Sequence, residues 1–183
     1  MKNNNSSIKT VVAVGIGAAL FFVLGRFVAI PSPVPNTNIS LQYAVLALLA
    51  AMYGPVAGGL IGFIGHTLID LSWGGSPWWS WVIASAFVGV VVGLFSKKLN
   101  LQEGEFSKKQ AALFALANIV AHLLAWVLVA PVLDIAIYAE PVKKVFAQGA
   151  FAAVSNSITA VVGGLLVLAY TRTIAKKGSL DQE

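Results

Sequence analysis

The strongest constraint in this chain is where its helix breakers fall. Long apolar stretches are cut at PSPVPNTN (31–38), at Gly54-Pro55, at SWGGSP (72–77) and at the polar stretch KKLNLQEGEFSKK (97–109), with few charges between the cuts. Three prolines in the first break forbid helix there, and Gly-Pro marks a tight turn. Six apolar segments result, over about residues 8–30, 39–53, 55–71, 78–96, 110–130 and 142–174. A membrane helix needs roughly 20 apolar residues, fewer where neighbours shield it. The second segment is short, and the sixth is longer than one crossing, so it tilts or projects into water. Residues 131–141 read as a mixed loop.

Composition supports the same class. Hydrophobic residues make up 58% of the 183 and charged residues only 10%. A soluble domain carries roughly 25% charged residues, so this chain has too little charge to cover a water-facing surface. A soluble enzyme, a disordered protein and a nucleic-acid-binding module are excluded. The expected fold is all-α: an integral membrane protein, one domain over residues 1–183, built as a six-transmembrane-helix bundle. Lys2 and Lys9 before the first apolar run look like the start of a secretory leader. The run exceeds the roughly 7–15 residues of a cleavable core, however, and is read as a first membrane helix.

Charge sets the orientation. With both termini inside, the inner segments hold Lys2, Lys9, Lys97, Lys98, Lys108, Lys109, Arg172, Lys176 and Lys177, against Arg26, Lys143 and Lys144 outside. That bias predicts cytoplasmic N- and C-termini. There is no cysteine, so disulfides and thiolate chemistry are absent.

The polar residues within the apolar segments converge on the outer half. His66 and Asp70, four apart, share a face of the third helix; Asn118 and His122 do so on the fifth, with Trp126 further along that face. Gln148 and the deeper Asn156 lie on the sixth, Arg26 near the outer end of the first, and Gln42 and Tyr43 open the second. Ionisable groups are costly in a bilayer and usually face a cavity or each other. Each residue also has a plain structural reading. Arg26 can snorkel to headgroups, His66 and Asp70 can pair, Asp70 can pair with Arg26, and Trp73, Trp78, Trp79 and Trp81 can form an interfacial belt. Their coincidence in one leaflet, below two loops rich in Pro, Gly and Trp, favours an outward-facing pocket for a small, polar, flat ring. Such a set does not suit a phosphate, which calls for convergent cations. No HExxH, GxSxG or GxxxxGK[ST] motif occurs, so the usual catalytic constellations are missing, and neither metal nor cofactor is expected.

Small residues mark a close-packing face. In AVGIGAA (13–19), Ala13 and Gly17 share one side of the first helix, and Gly15 and Ala19 the adjacent one.

Size, six helices, the small-residue face of AVGIGAA, the PSPVPNTN loop and SWGGSPWWSW (72–81) together resemble the substrate-capture subunit, or S component, of energy-coupling factor (ECF) vitamin transporters of prokaryotes. The resemblance covers about residues 8–177. LQYAVLALLAAMYGPVAGGLIGFIGHTLID (41–70) is similar to the branch assigned to hydroxymethylpyrimidine, a thiamine precursor; pyridoxine, another flat hydroxymethylated ring, is the alternative ligand. The resemblance implies a non-catalytic subunit of the cell membrane. It would capture ligand from outside beneath the first loop and dock through Ala13, Gly17, Gly15 and Ala19 onto a transmembrane coupling subunit. Two cytoplasmic ATPases would drive that subunit, and the whole S component would topple to release its ligand inward. The implied ligand contacts lie among the first loop and helices four to six: Asn36, Asn38, Trp78, Trp79, His122 and Gln148. The polar faces add Tyr43, His66, Asp70 and Asn118. Readings from other classes are a small intramembrane enzyme using His66, Asp70 and His122, and a stand-alone channel.

Overall fold

A computed structural model describes the backbone of residues 2–104 and 106–180, and the side chains of residues 7–104 and 106–174. Lys2, Lys176 and Lys177, counted above for orientation, lie outside the described side chains, and Met1 and residues 181–183 of the single domain expected over 1–183 lie outside the described residues altogether. Helix α1 (Lys2–Phe27) runs into a two-stranded antiparallel hairpin, β1 (Ile30–Pro31) and β2 (Asn38–Ile39), with Ile30 opposite Ile39 and Pro31 opposite Asn38. Pro31 biases Ile30 toward extended backbone. Asn36, at φ 57, turns the chain in the left-handed region that asparagine tolerates. The break at PSPVPNTN is therefore an ordered flap rather than a bare loop.

Helices α2 (Gln42–Tyr53) and α3 (Pro55–Ser72) meet at Gly54, whose φ of 89 only glycine adopts without strain, and Pro55 opens α3 from its first turn. Helix α4 (Trp79–Leu94) packs on α3 along a seam of small residues. A Cβ on Gly58 would sit 2.6 Å from the Ala50 Cβ and 2.8 Å from the Gly89 carbonyl carbon, so the two backbones touch. The polar stretch folds into the short α5 (Ser96–Leu99) and a 3₁₀ turn (Leu101–Glu103) before α6 (Lys108–Leu123). A reciprocal capping box starts α6: the Gln110 N–H donates to Ser107 Oγ, and the Ser107 N–H to Gln110 Oε1.

The expected loop over residues 131–141 is largely helix. A π-turn (Leu124–Val129) joins α6 to α7 (Ala130–Tyr138), and only residues 139–141 separate α7 from α8 (Val142–Leu180). Pro131 cannot donate an N–H and its ring crowds the turn before it. The wider π-turn absorbs both defects. The bulged Trp126 carbonyl points at Gly149 of α8, where a Cβ would strike it.

The core runs through the middle of the bundle, with Phe21, Leu46, Ile61, Val88, Val92 and Phe114 essentially inaccessible. Large apolar side chains such as Val11, Val56, Leu116, Ile158 and Leu165 stand exposed around the outside, as lipid-facing surfaces do. Among the described residues, four helical spans are long and apolar enough to cross a membrane: Ser7–Phe27, Pro55–Ser72, Lys108–Tyr138 and Val142–Ile174. The bent pair Trp79–Leu94 with Ser96–Glu103 makes a fifth, and the 12-residue α2 is shorter than a bilayer core. The protein is an all-α, multi-pass membrane protein.

Candidate functional site

A cavity of about 690 Å³ opens at the end of the bundle where the hairpin and the tryptophan-rich α3–α4 loop meet. Its size lies within the roughly 300–1,000 Å³ of small-molecule sites. The hairpin supplies Asn36, Thr37 and Asn38, and Gln42 and Tyr43 enter from the first turn of α2. The flap is tied down at two points: Gln148 Nε2 of α8 donates to the Pro35 carbonyl at 2.8 Å, and Ser40 Oγ donates to the Leu24 carbonyl at 3.3 Å.

One wall is a buried polar chain. The Tyr43 hydroxyl and Ser85 Oγ are 2.8 Å apart, Ser85 Oγ and His66 Nδ1 are 2.5 Å apart, and His66 Nε2 lies 3.7 Å from Asp70 Oδ1. Thus His66 and Asp70 do pair, and the pair also borders the cavity. Arg26 takes no part in it: its guanidinium lies 3.8 Å from the centre of the Trp73 ring.

A second part of the lining is aromatic. Trp81 and Trp126 meet edge-to-face at 5.2 Å, and Tyr43 and Trp126 at 5.8 Å. Trp78 is held on three sides. Its backbone N–H donates to Asp70 Oδ2 at 2.8 Å, its indole N–H donates to Asp134 Oδ1 at 2.6 Å, and its ring stacks on Tyr138 at 4.0 Å. Asp134 also accepts from the Trp81 indole at 3.0 Å and from Ser80 Oγ. At the rim Lys144 pairs with Glu140 at 2.7 Å. Carboxylates outnumber cations along the lining, which excludes a phosphate-type cradle and suits a neutral or cationic ring held by stacking and a few hydrogen bonds.

Of the residues expected at the site, Asn36, Asn38, Tyr43, His66, Asp70, Trp78 and Gln148 line the cavity. Three do not. Trp79 faces outward, stacked against Phe63 at 6.1 Å. Asn118 and His122 are wholly buried beneath the floor. His122 Nδ1 accepts from the Trp126 indole at 3.1 Å, and Asn118 Nδ2 donates to the Phe114 carbonyl at 2.8 Å. Sequence reasoning missed Asp134, because Pro131 hid its helix; the only signal was its four-residue spacing from Tyr138. Among the described residues no three His, Asp or Glu side chains are placed to hold a metal ion.

The small-residue face of α1 divides. Gly17 packs inward, where a Cβ would lie 2.6 Å from Leu49 and 2.8 Å from Ile61, and Ala13 is buried beside it. Of the four expected docking residues, Ala13 and Gly17 thus face the bundle. Gly15 has nothing near it, and Ala19 is exposed.

The chain resembles known proteins along its whole length. It is 52% identical over 184 residues to a UPF0397 protein of Clostridium perfringens strain SM101 and 53% identical over 184 residues to one of Lactobacillus helveticus, covering 100% of both chains in each case. A UPF0397 protein of Enterococcus faecalis is 50% identical over 178 residues, 97% of each chain. The crystal structure of the S component for biotin from an ECF-type ABC transporter matches with a TM-score of 0.66 at 19% identity, covering 96% of this chain and 95% of that one. At that identity the likeness shows the fold alone. Residues 5–172 match the family model described as ECF-type riboflavin transporter, S component, and the chain belongs to that family.

Proposed function

We propose that this protein captures a small flat aromatic vitamin or vitamin precursor, hydroxymethylpyrimidine in the first instance, from outside the cell. It passes the ligand inward as the non-catalytic binding subunit of an ECF transporter. The observation that carries this reading is the cavity: it is lined by the aromatic rings of Trp78, Trp81 and Trp126 and by the hydrogen-bonding groups of Tyr43, His66 and Asp70, with an ordered flap above. Such a site stacks a ring and reads its nitrogens and hydroxyls. Asn36, Asn38 and Gln148 belong to the flap and its tie and offer polar groups to the ligand from above, while Trp78 supplies the face. Asn118 and His122 act from below, and Trp79 anchors the loop from outside.

The ligand named by the family model is riboflavin, and that named for the structural neighbour is biotin. One fold thus serves unlike ligands, and side-chain chemistry decides among them. Pyridoxine shares the flat hydroxymethylated ring and is the second reading. Calorimetric titration of the purified chain with hydroxymethylpyrimidine, pyridoxine, thiamine, riboflavin and biotin is the test. Submicromolar binding of hydroxymethylpyrimidine, without partners or ATP, is expected; such affinity corresponds to at least about −8 kcal/mol. Tight binding of another of the five renames the ligand, and binding of none overturns the vitamin reading.

Delivery requires a transmembrane coupling subunit and two cytoplasmic ATPases, which hydrolyse the ATP. The docking surface is α1, with Gly15 and Ala19 facing the partner. Ala13 and Gly17 contribute by drawing α1 close to α2 and α3. With the short α2 read as a crossing beside the five longer spans, the chain crosses six times with both termini cytoplasmic and the cavity opens outward.

A further inference from the structure

Asp134 is 2% exposed and has no Lys or Arg within ion-pair distance among the described residues. A carboxylate buried in this way persists only where donors replace its water. Three neutral donors do so, and all three come from the start of a single helix: the Trp78 and Trp81 indoles and the Ser80 hydroxyl. Both carboxylate oxygens are engaged, Oδ1 by Trp78 and Ser80, and Oδ2 by Trp81. Trp78, Trp81 and Asp134 itself border the cavity, and among the described residues both indole N–H groups donate to Asp134. Helix α7 brings Asp134 to them because the π-turn precedes it. A π-turn accommodates one extra residue, rotating the helix beyond it by about 100° relative to a continuous α-helix. One turn on, Tyr138 stacks on Trp78, and its hydroxyl accepts the Trp79 N–H at 2.9 Å.

We propose that Asp134 is the positioning residue of the binding site: acting through the two indole N–H groups, it sets the rings of Trp78 and Trp81 as the aromatic face that meets the ligand. The consequence for affinity rests on the capture reading above. The positioning itself does not, and it is tested without ligand.

The experiment is a double-mutant cycle on the detergent-purified full chain, read by thermal unfolding and tryptophan fluorescence. In the wild-type background, Asp134→Leu should lower the melting temperature, red-shift the emission and weaken binding of hydroxymethylpyrimidine by at least tenfold. Asp134→Asn, which keeps one acceptor oxygen, should fall between. In a Trp78→Phe, Trp81→Phe background the carboxylate has lost both indole donors. There Asp134→Leu should leave the melting temperature unchanged or raise it, because it removes a buried charge with too few partners. An equal drop in both backgrounds overturns the proposal, since Asp134 would then act on something other than the indoles. If Asp134→Leu alone does not fold, recovery of a folded protein in the double-Phe background supports the proposal, and failure there overturns it. If wild-type protein binds no ring compound, the capture reading fails while the melting-temperature cycle still decides the role of Asp134.

Discussion

His122 never reaches the cavity, but it holds a ring that does. An indole N–H only donates, so the 3.1 Å contact from Trp126 makes His122 Nδ1 the acceptor and leaves the ring proton on Nε2. The imidazole also packs against Tyr43, ring centres 5.0 Å apart. His122→Ala removes the acceptor and leaves a void beneath two cavity residues. A loss of about 3 kcal/mol in stability is expected, with the bundle still folded. Affinity should fall about tenfold through a misplaced Trp126. Unfolding curves and titrations of the variant check both, and an unchanged affinity removes His122 from the supporting layer. The residue was legible in the sequence as polar and buried. That it faces Trp126 rather than the ligand was not, because helical spacing gives the face of a residue and not its depth beneath a cavity.

At the scale of elements, the seam between α3 and α4 does most to fix the position of the tryptophan loop. Gly58 and Gly89 let the two backbones meet, and the loop that joins these helices carries Trp73 and ends at Trp78. A side chain on either glycine must push backbone aside. Gly89→Leu is expected to cost about 3 kcal/mol and to lower the melting temperature sharply. Leu94→Met, at the exposed end of α4, should leave it unchanged. Equal stability of the two variants would remove the seam as a determinant. The glycines were visible as a small-residue pattern, but their partner was not, since such spacing recurs in α1, α3, α4 and α8 alike.

For the molecule as a whole, the question is which surface meets the lipid and which meets a partner. The exposed strip of α1 around Gly15 and Ala19 is small-sided and lies among the exposed apolar residues Val12, Ile16 and Leu20. Gly15→Trp or Ala19→Trp should abolish uptake in cells carrying the coupling module while leaving ligand affinity intact. Retained uptake sinks the docking assignment. Gly17→Trp should instead unfold or loosen the bundle, because Gly17 packs on Leu49 and Ile61. Orientation is open to direct labelling, since the chain has no native cysteine. In intact cells a membrane-impermeant thiol reagent should label Ser76→Cys in the α3–α4 loop and spare Lys98→Cys in α5. The reverse pattern would invert the topology.

Hydropathy and breaker spacing by themselves determined the class, the apolar segments and the end of the bundle where polar groups gather. These are properties of composition and local order, and a bilayer rewards them segment by segment. The tertiary structure decided what depends on rotation and depth. It turned Gly17 inward and Gly15 outward, carried α7 through Pro131 on a π-turn, and set His122 beneath Trp126. It also placed Asp134, from a stretch that reads as loop, against the indoles of Trp78 and Trp81. A helix repeat tells which residues share a side, but only packing against neighbours sets the angle at which that side faces the cavity.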